Sequence, residues 1–330
     1  MSHKVFRACK VAILSTLLFM FCDGFGFSEA AHQSRIRITT ASGVRLRTGP
    51  QVAAEEIMRL PIGSVVGEVE ASANTEKIAG IEDHWYRVVT LPAGKQQGWV
   101  FGGFTMVFDP AKAAESYQQI ANNRLKVEQP TFTDSVDLVN FLARVIPEVT
   151  RKDAAAELEL ARLLAISKAG AAIPSDKQEE PLYQSWLKAQ GNSLVYSEPA
   201  GQWFVDSDLF WKLQQKYSSL PVAERIAWEA ANNSLPGECE GFLECNLYAY
   251  NRTLGRYLNL YPRGAHAEEA LNNLAEYFGE VLKTEGTYSV DEKADLHKAL
   301  AELRATVGKS SSAKRAALLK QIDQVAAQYR

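Results

Sequence analysis

Between about Arg35 and Phe108, four short pieces follow one another in fixed order. They are Gly43-Val44-Arg45-Leu46-Arg47-Thr48-Gly49-Pro50, Leu60-Pro61-Ile62-Gly63, His84-Trp85-Tyr86-Arg87-Val88 and Gly98-Trp99-Val100. In and around them apolar and polar residues alternate, the period of a half-buried strand. Arg35 to Thr39 alternates charged with apolar residues. Val44, Leu46 and Thr48 alternate with Arg45 and Arg47, which places both arginines on one face. Gly49-Pro50 and Pro61-Ile62-Gly63 read as turns, and Val65, Val66 and Val69 as a β-branched strand. Trp85 to Leu91 and Gly98 to Val100 read as two more strands, joined through Pro92-Ala93-Gly94. Roughly five to seven short strands in so small a span predict a small barrel.

The same four pieces resemble the bacterial SH3 domain family. In that family a Gly-x-x-x-Arg-x-Gly-Pro strand, a Leu-x-x-Gly turn, a Gly-Trp-Tyr-x-Val strand and a closing Gly-Trp-Val recur. Here they stand at Gly43 to Pro50, Leu60 to Gly63, Trp85 to Val88 and Gly98 to Val100. His84 departs from the pattern, where the family has Gly or Asn. So does the longer segment Ala71 to Glu82, expected to lengthen one loop and change what a groove accepts. The resemblance implies an SH3-like barrel over residues 31–108 that binds cell-wall peptide or a protein segment without catalysis. Aromatic faces and a few polar groups would line its groove. The candidates are Arg47, Tyr86, Trp99, Phe101 and Phe104, although Trp85 and Trp99 are equally suited to filling the interior.

The first residues read as an export signal. Lys4, Arg7 and Lys10 precede an apolar run from Val11 to Cys22, too short for a comfortable membrane span. Asp23-Gly24 breaks the run, and Ser28-Glu29-Ala30 predicts cleavage after Ala30. Bulky Phe21 argues against lipid attachment at Cys22. Removal of residues 1–30 takes away three positive and two negative side chains, so the formal charge moves from −3 to −4. That balance gives nucleic-acid binding no electrostatic support. No later stretch is apolar enough to span a bilayer, so the expected location is the periplasm, or outside the cell.

After Asp109-Pro110 alternation gives way to helical periodicity, predicting an all-α domain over residues 109–330. Helices are expected from Ala111 to Leu125, from a cap at Asp134 or Ser135 to Val145, and from Thr150 with Asp153 to Ser167. Others run from Pro221 to Asn232, from Leu247 to Leu260, and from His266 to Leu282. Ser289 with Glu292 predicts a capping box for a helix ending at Gly308, and Leu318, Ile322, Val325 and Tyr329 mark a last helix. Residues 261–280, with Tyr261-Pro262 and Leu271-x-x-Leu274-Ala275-x-x-Phe278, are similar to a tetratricopeptide-type junction, but no second copy at that period is legible. Ser193 to Val205 breaks the helical pattern and predicts a β-hairpin packed on the helices through Trp203.

Without the signal only Cys239 and Cys245 remain. Their spacing is wrong for a Cys-x-x-Cys redox pair and suits a small structural disulfide. Zinc would need nearby histidines, and the closest is His266; Glu238, Glu240 and Glu244 lack a calcium-loop alternation. Glu115-Ser116 resembles the Glu-Ser of wall-cleaving transglycosylases, but the downstream segment of those enzymes is absent. No phosphate loop, serine elbow or metal-spaced histidines appear, so no cofactor or metal is expected. The expectation is a multidomain α+β protein: a small barrel, then helices with one embedded hairpin. It is an exported adaptor whose partner is a peptidoglycan peptide or an envelope protein. The alternative is a helical scaffold of the envelope with the barrel as a structural cap.

Overall fold

The computed structural model describes residues 35–91, 96–233, 235, 238–284 and 288–329. The export signal, the cleavage point at Ala30 and the connection Pro92-Ala93-Gly94 lie outside the described residues. Ser34–Arg330 forms one compact unit. It is mixed α+β, with a curled antiparallel sheet, a half-barrel, followed by a helical region.

The sheet contains β1 (Ile36–Thr39), β2 (Val44–Arg47), β3 (Glu56–Leu60), β4 (Val65–Ile78), β5 (Ile81–Thr90), β6 (Gln97–Phe101) and β7 (Thr105–Val107). Their order is β3-β2-β6-β5-β4-β1-β7, so β3 and β7 are the edges. Val44, Leu46, Leu60, Val66, Val88 and Val100 fill the inner face. Gly98 lets β6 come close to β2, because a Cβ there would stand 2.6 Å from the Arg47 carbonyl. The segment Ala71 to Glu82 is not a loop: it extends β4 and β5 into a long hairpin. Its turn is Ala79-Gly80, both at positive φ, the backbone of a type I′ connection. Arg45 and Arg47 differ in exposure: Arg45 is exposed and Arg47 is buried, and a register shift between Leu46 and Arg47 sets Arg47 opposite Glu56.

Asp109 caps a short 3-10 turn at Pro110–Lys112 through the Ala111 N–H, and the helices begin. They are α1 (Ala113–Leu125), α2 (Phe132–Val145), α3 (Lys152–Ala171) and α4 (Pro181–Gln190). The hairpin β8 (Leu194–Ser197) and β9 (Gln202–Val205) follows, as expected. It lies on α3 where Gly170 leaves room for the Trp203 backbone, with Leu194 and Val205 more deeply buried than Trp203. Then come α5 (Ser207–Lys216), α6 (Val222–Asn232), α7 (Leu243–Tyr250), α8 (Arg256–Leu260), α9 (Ala267–Lys283), α10 (Lys293–Gly308) and α11 (Arg315–Gln328). A π-turn at Asn251–Gly255 joins α7 to α8, and Asn251 Nδ2 donates to the Ala299 carbonyl of α10. Helices α4 and α5 were not anticipated. Three caps differ from expectation. Thr131, not Asp134 or Ser135, accepts the Asp134 N–H at the start of α2. At α3, Arg151 precedes the helix with no side-chain cap and holds Asp153 and Glu115 instead. At α10, Ser289 does not cap but forms a parallel bridge with Phe242.

That bridge ties the disulfide to the helices. Cys239 and Cys245 are bonded, with Cα atoms 5.3 Å apart. Leu243 N–H donates to the Ser289 carbonyl, and Ser289 N–H to that of Gly241. Glu244 Oε1 accepts the N–H groups of Asp291 and Glu292 at 2.9 and 3.2 Å. Burial opposes ionisation of Glu244, but its own backbone N–H together with these two donors outweighs it and holds its carboxyl below the usual range.

Sheet and helices share one core. Ile38 and Ile62 belong to the same apolar cluster as Phe108, Tyr117 and Phe141. The turn Pro61-Ile62-Gly63 seats against α2: Phe141 lies where a Gly63 Cβ would be, at 2.3 Å, and Arg144 Nη2 donates to the Ile62 carbonyl at 2.8 Å.

Three outcomes are expected. Gly63→Ala combines a φ of +80° with overlap on Phe141, and should cost about 2–4 kcal/mol in denaturant unfolding. Ala79→Asn relieves a φ of +50° in an exposed turn, and should raise stability by about 1 kcal/mol. Glu244→Gln should be less stable than the wild type at neutral pH. Because the folded carboxyl is depressed, the advantage of the wild type is full above the unfolded value of about 4.3. It should fade as pH falls through the lower folded value, which urea titrations across that range will reveal.

Candidate binding cleft

Burial of the sheet's aromatic residues against the long hairpin leaves a cleft of about 810 Å³ where the sheet meets the α1–α2 corner. Register places Trp85 opposite Phe101 on neighbouring strands. Their rings meet edge to face at 5.7 Å, and Phe101 meets Phe104 at 5.5 Å. The extended hairpin braces this cluster, since Trp85 Nε1 donates to Glu76 Oε2 at 2.6 Å. Ser72, in the bulge of β4, accepts the Trp85 N–H, and its carbonyl pairs with His84 Nδ1 at 2.8 Å. His84 therefore has a local structural partner. Ile78, near the hairpin tip, lines the cleft beside these rings.

Four guanidinium groups line the same cleft, those of Arg45, Arg47, Arg59 and Arg124, against two carboxylates, Asp134 and Asp137. Arg45 and Arg59 are cross-strand partners. Glu56 serves both, at 3.1 and 2.9 Å from their Nε atoms. The Arg59 hydrogen bond, helped by the fields of Arg59, Arg45 and Arg47, holds the Glu56 carboxyl below its ordinary value. Arg124 pairs with Asp134 at 3.5 Å. Arg47 differs from these three. It is 7% exposed, and its Nη1 donates to the Ala54 carbonyl at 2.6 Å. Among the described residues no carboxylate forms an ion pair with it. The Glu56 carboxylate opposite it is already paired with Arg45 and Arg59, and an anion in the cleft would add to the balance of this buried cation. Ser42, also on the lining, has a buried hydroxyl oxygen with no hydrogen-bond partner among the described residues.

Of the five residues read from the sequence, Arg47, Phe101 and Phe104 come together here. Tyr86 lies elsewhere: the Arg37 guanidinium stacks on its ring at 3.7 Å. Arg37 is itself fixed by Thr105 Oγ1 at 2.8 Å and Glu68 at 2.9 Å, so Tyr86 belongs to a brace across the sheet. Trp99 is half-buried on β6, in register with Arg47 and Arg87, and does not line the cleft. Sequence reasoning passed over Arg45, Arg59 and Arg124 as contributors. Alternation along β2 and β3 could have paired the first two. Nothing local to Arg124 points to a cleft.

Glu115 is ion-paired to Arg151 at 2.6 Å on the exposed surface. Among the described residues, no group of three or more His, Cys, Asp or Glu is placed to hold a metal. No described helix is long and apolar enough to cross a membrane. Comparison with known protein families, curated proteins and solved structures finds no match to this chain.

Proposed function

We propose that this protein is an exported, non-catalytic binding protein whose SH3-like half-barrel captures a peptide segment, of the cell wall or of an envelope protein. The observation that carries this reading is Arg47, a buried guanidinium on an aromatic-lined cleft that forms no ion pair among the described residues and shares the field of Glu56 with Arg45 and Arg59. A peptide carboxylate would supply further negative charge, with bidentate geometry that suits guanidinium. Trp85, Phe101 and Phe104 would give the apolar contact. Export follows from the signal read over residues 1–30.

A second reading puts partner capture on the helices. It draws on a groove of about 530 Å³ lined by Ile146, Pro147, Leu163, Leu209 and Leu213 among others. Deleting residues 31–108 would not separate the two, because it strips Ile38 and Ile62 from the common core. Point variants are the cleaner instrument.

Co-sedimentation of the chain with purified wall sacculi, and its capture of envelope proteins, should weaken about tenfold in Arg47→Leu. Both should persist in Trp99→Ala, whose ring lies off the cleft. Circular dichroism melts confirm folding of each variant. Undiminished binding by Arg47→Leu together with loss in Leu163→Asp moves the function to the helical groove.

A further inference from the structure

The cleft lies beside an unfinished sheet edge. Among the described residues strand β3 is terminal and pairs with β2 alone. Glu56 to Arg59 are all exposed, with Ile57 and Met58 each 37% accessible. Such an edge presents alternate backbone N–H and C=O groups to which an extended chain can pair. Charge sits along the same edge. Arg59 on β3 and Arg45 opposite it on β2 are like charges in direct register, an unfavourable arrangement. One carboxylate, Glu56, is divided between the two. Arg47 on β2 is in register with the same Glu56, so three guanidinium groups share that one carboxylate.

We propose that the occupant of the cleft is an extended acidic segment of a protein, added along β3 as an eighth strand. Acidic side chains at alternate positions face Arg59, Arg45 and Arg47, and the backbone completes the β3 ladder. Alternation of side chains along a strand is what lets a single segment do both. This rests on the reading of the cleft as a peptide site, and it selects a protein segment over a wall peptide. A chain of mixed chirality cannot hold the uniform strand dihedrals that a regular ladder needs.

The test is fluorescence polarisation with the full chain and four kinds of probe. The first is a peptide of about ten L-residues alternating Glu with Val, a length that covers an average strand with overhang. The second is the same peptide N-methylated on alternate residues, in either of the two phases. The third replaces each Glu with Lys, and the fourth is a purified wall muropeptide. The acidic peptide should bind and the lysine peptide should not. N-methylation in the phase that faces β3 should weaken binding by about tenfold or more, the other phase by less than about twofold. Arg59→Gln, at a side chain 62% exposed and so not needed for folding, should weaken the acidic peptide several-fold. If both methylated phases bind like the parent, strand addition is wrong while the cleft remains a peptide site. Binding of the muropeptide alone overturns the acidic segment as occupant and leaves the cleft. If no probe binds, strand addition and the cleft reading fall together.

Discussion

The contact between the Pro61-Ile62-Gly63 turn and helix α2 holds the architecture together. Phe141 is fully buried and lies against the place where any side chain at position 63 would have to go. Arg144 secures the same turn from the neighbouring carbonyl. Burying one such ring contributes roughly 1.5–3 kcal/mol, a large share of a typical folding free energy. The half-barrel is therefore not an appendage on a linker. Its Ile38 and Ile62 continue the core that runs through α1, α2 and α3.

This joint explains why the cleft exists and why it is shaped in advance. The sheet brings Arg45, Arg47 and Arg59; the α1–α2 corner brings Arg124, Asp134 and Asp137. With the two sides fixed by Phe141, a ligand meets a surface already formed and does not bear the entropy of assembling it. Within the sheet, the register shift at Leu46/Arg47 sets buried Arg47 opposite Glu56, next to the Arg45–Arg59 pair. The long hairpin contributes Ile78 and, through Glu76, the orientation of Trp85.

Much of the coarse fold was legible because it depends on periodicity. The strands around Val44, Val65, Trp85 and Val100, the hairpin at Leu194 to Val205, and the apolar stripe Leu271, Leu274, Phe278 follow directly from spacing. The segment Ala71 to Glu82 did not, because its residues are mostly exposed on both faces and carry no alternation. Its turn uses Ala at positive φ, where Asn or Asp would have given the signal. The caps failed for another reason. Several Ser, Thr and Asp residues compete near each helix start, and only tertiary contacts such as Phe242 with Ser289 decide among them. The cleft was half legible: Arg47, Phe101 and Phe104 belong to the strand pattern of the sheet. Arg124 and Asp134 lie on helices, and helical periodicity does not say which face meets the sheet.

The arrangement at β3 has a consequence for self-association. A bare strand edge invites a second copy of the same molecule to dock against it, the route by which many β proteins polymerise. Two such edges brought side by side here would crowd Arg59 and its neighbour Arg45 against the same residues of the other copy. Coulomb repulsion between those guanidinium groups, strongest at low ionic strength, would keep like molecules apart while leaving the edge open to a differently charged chain.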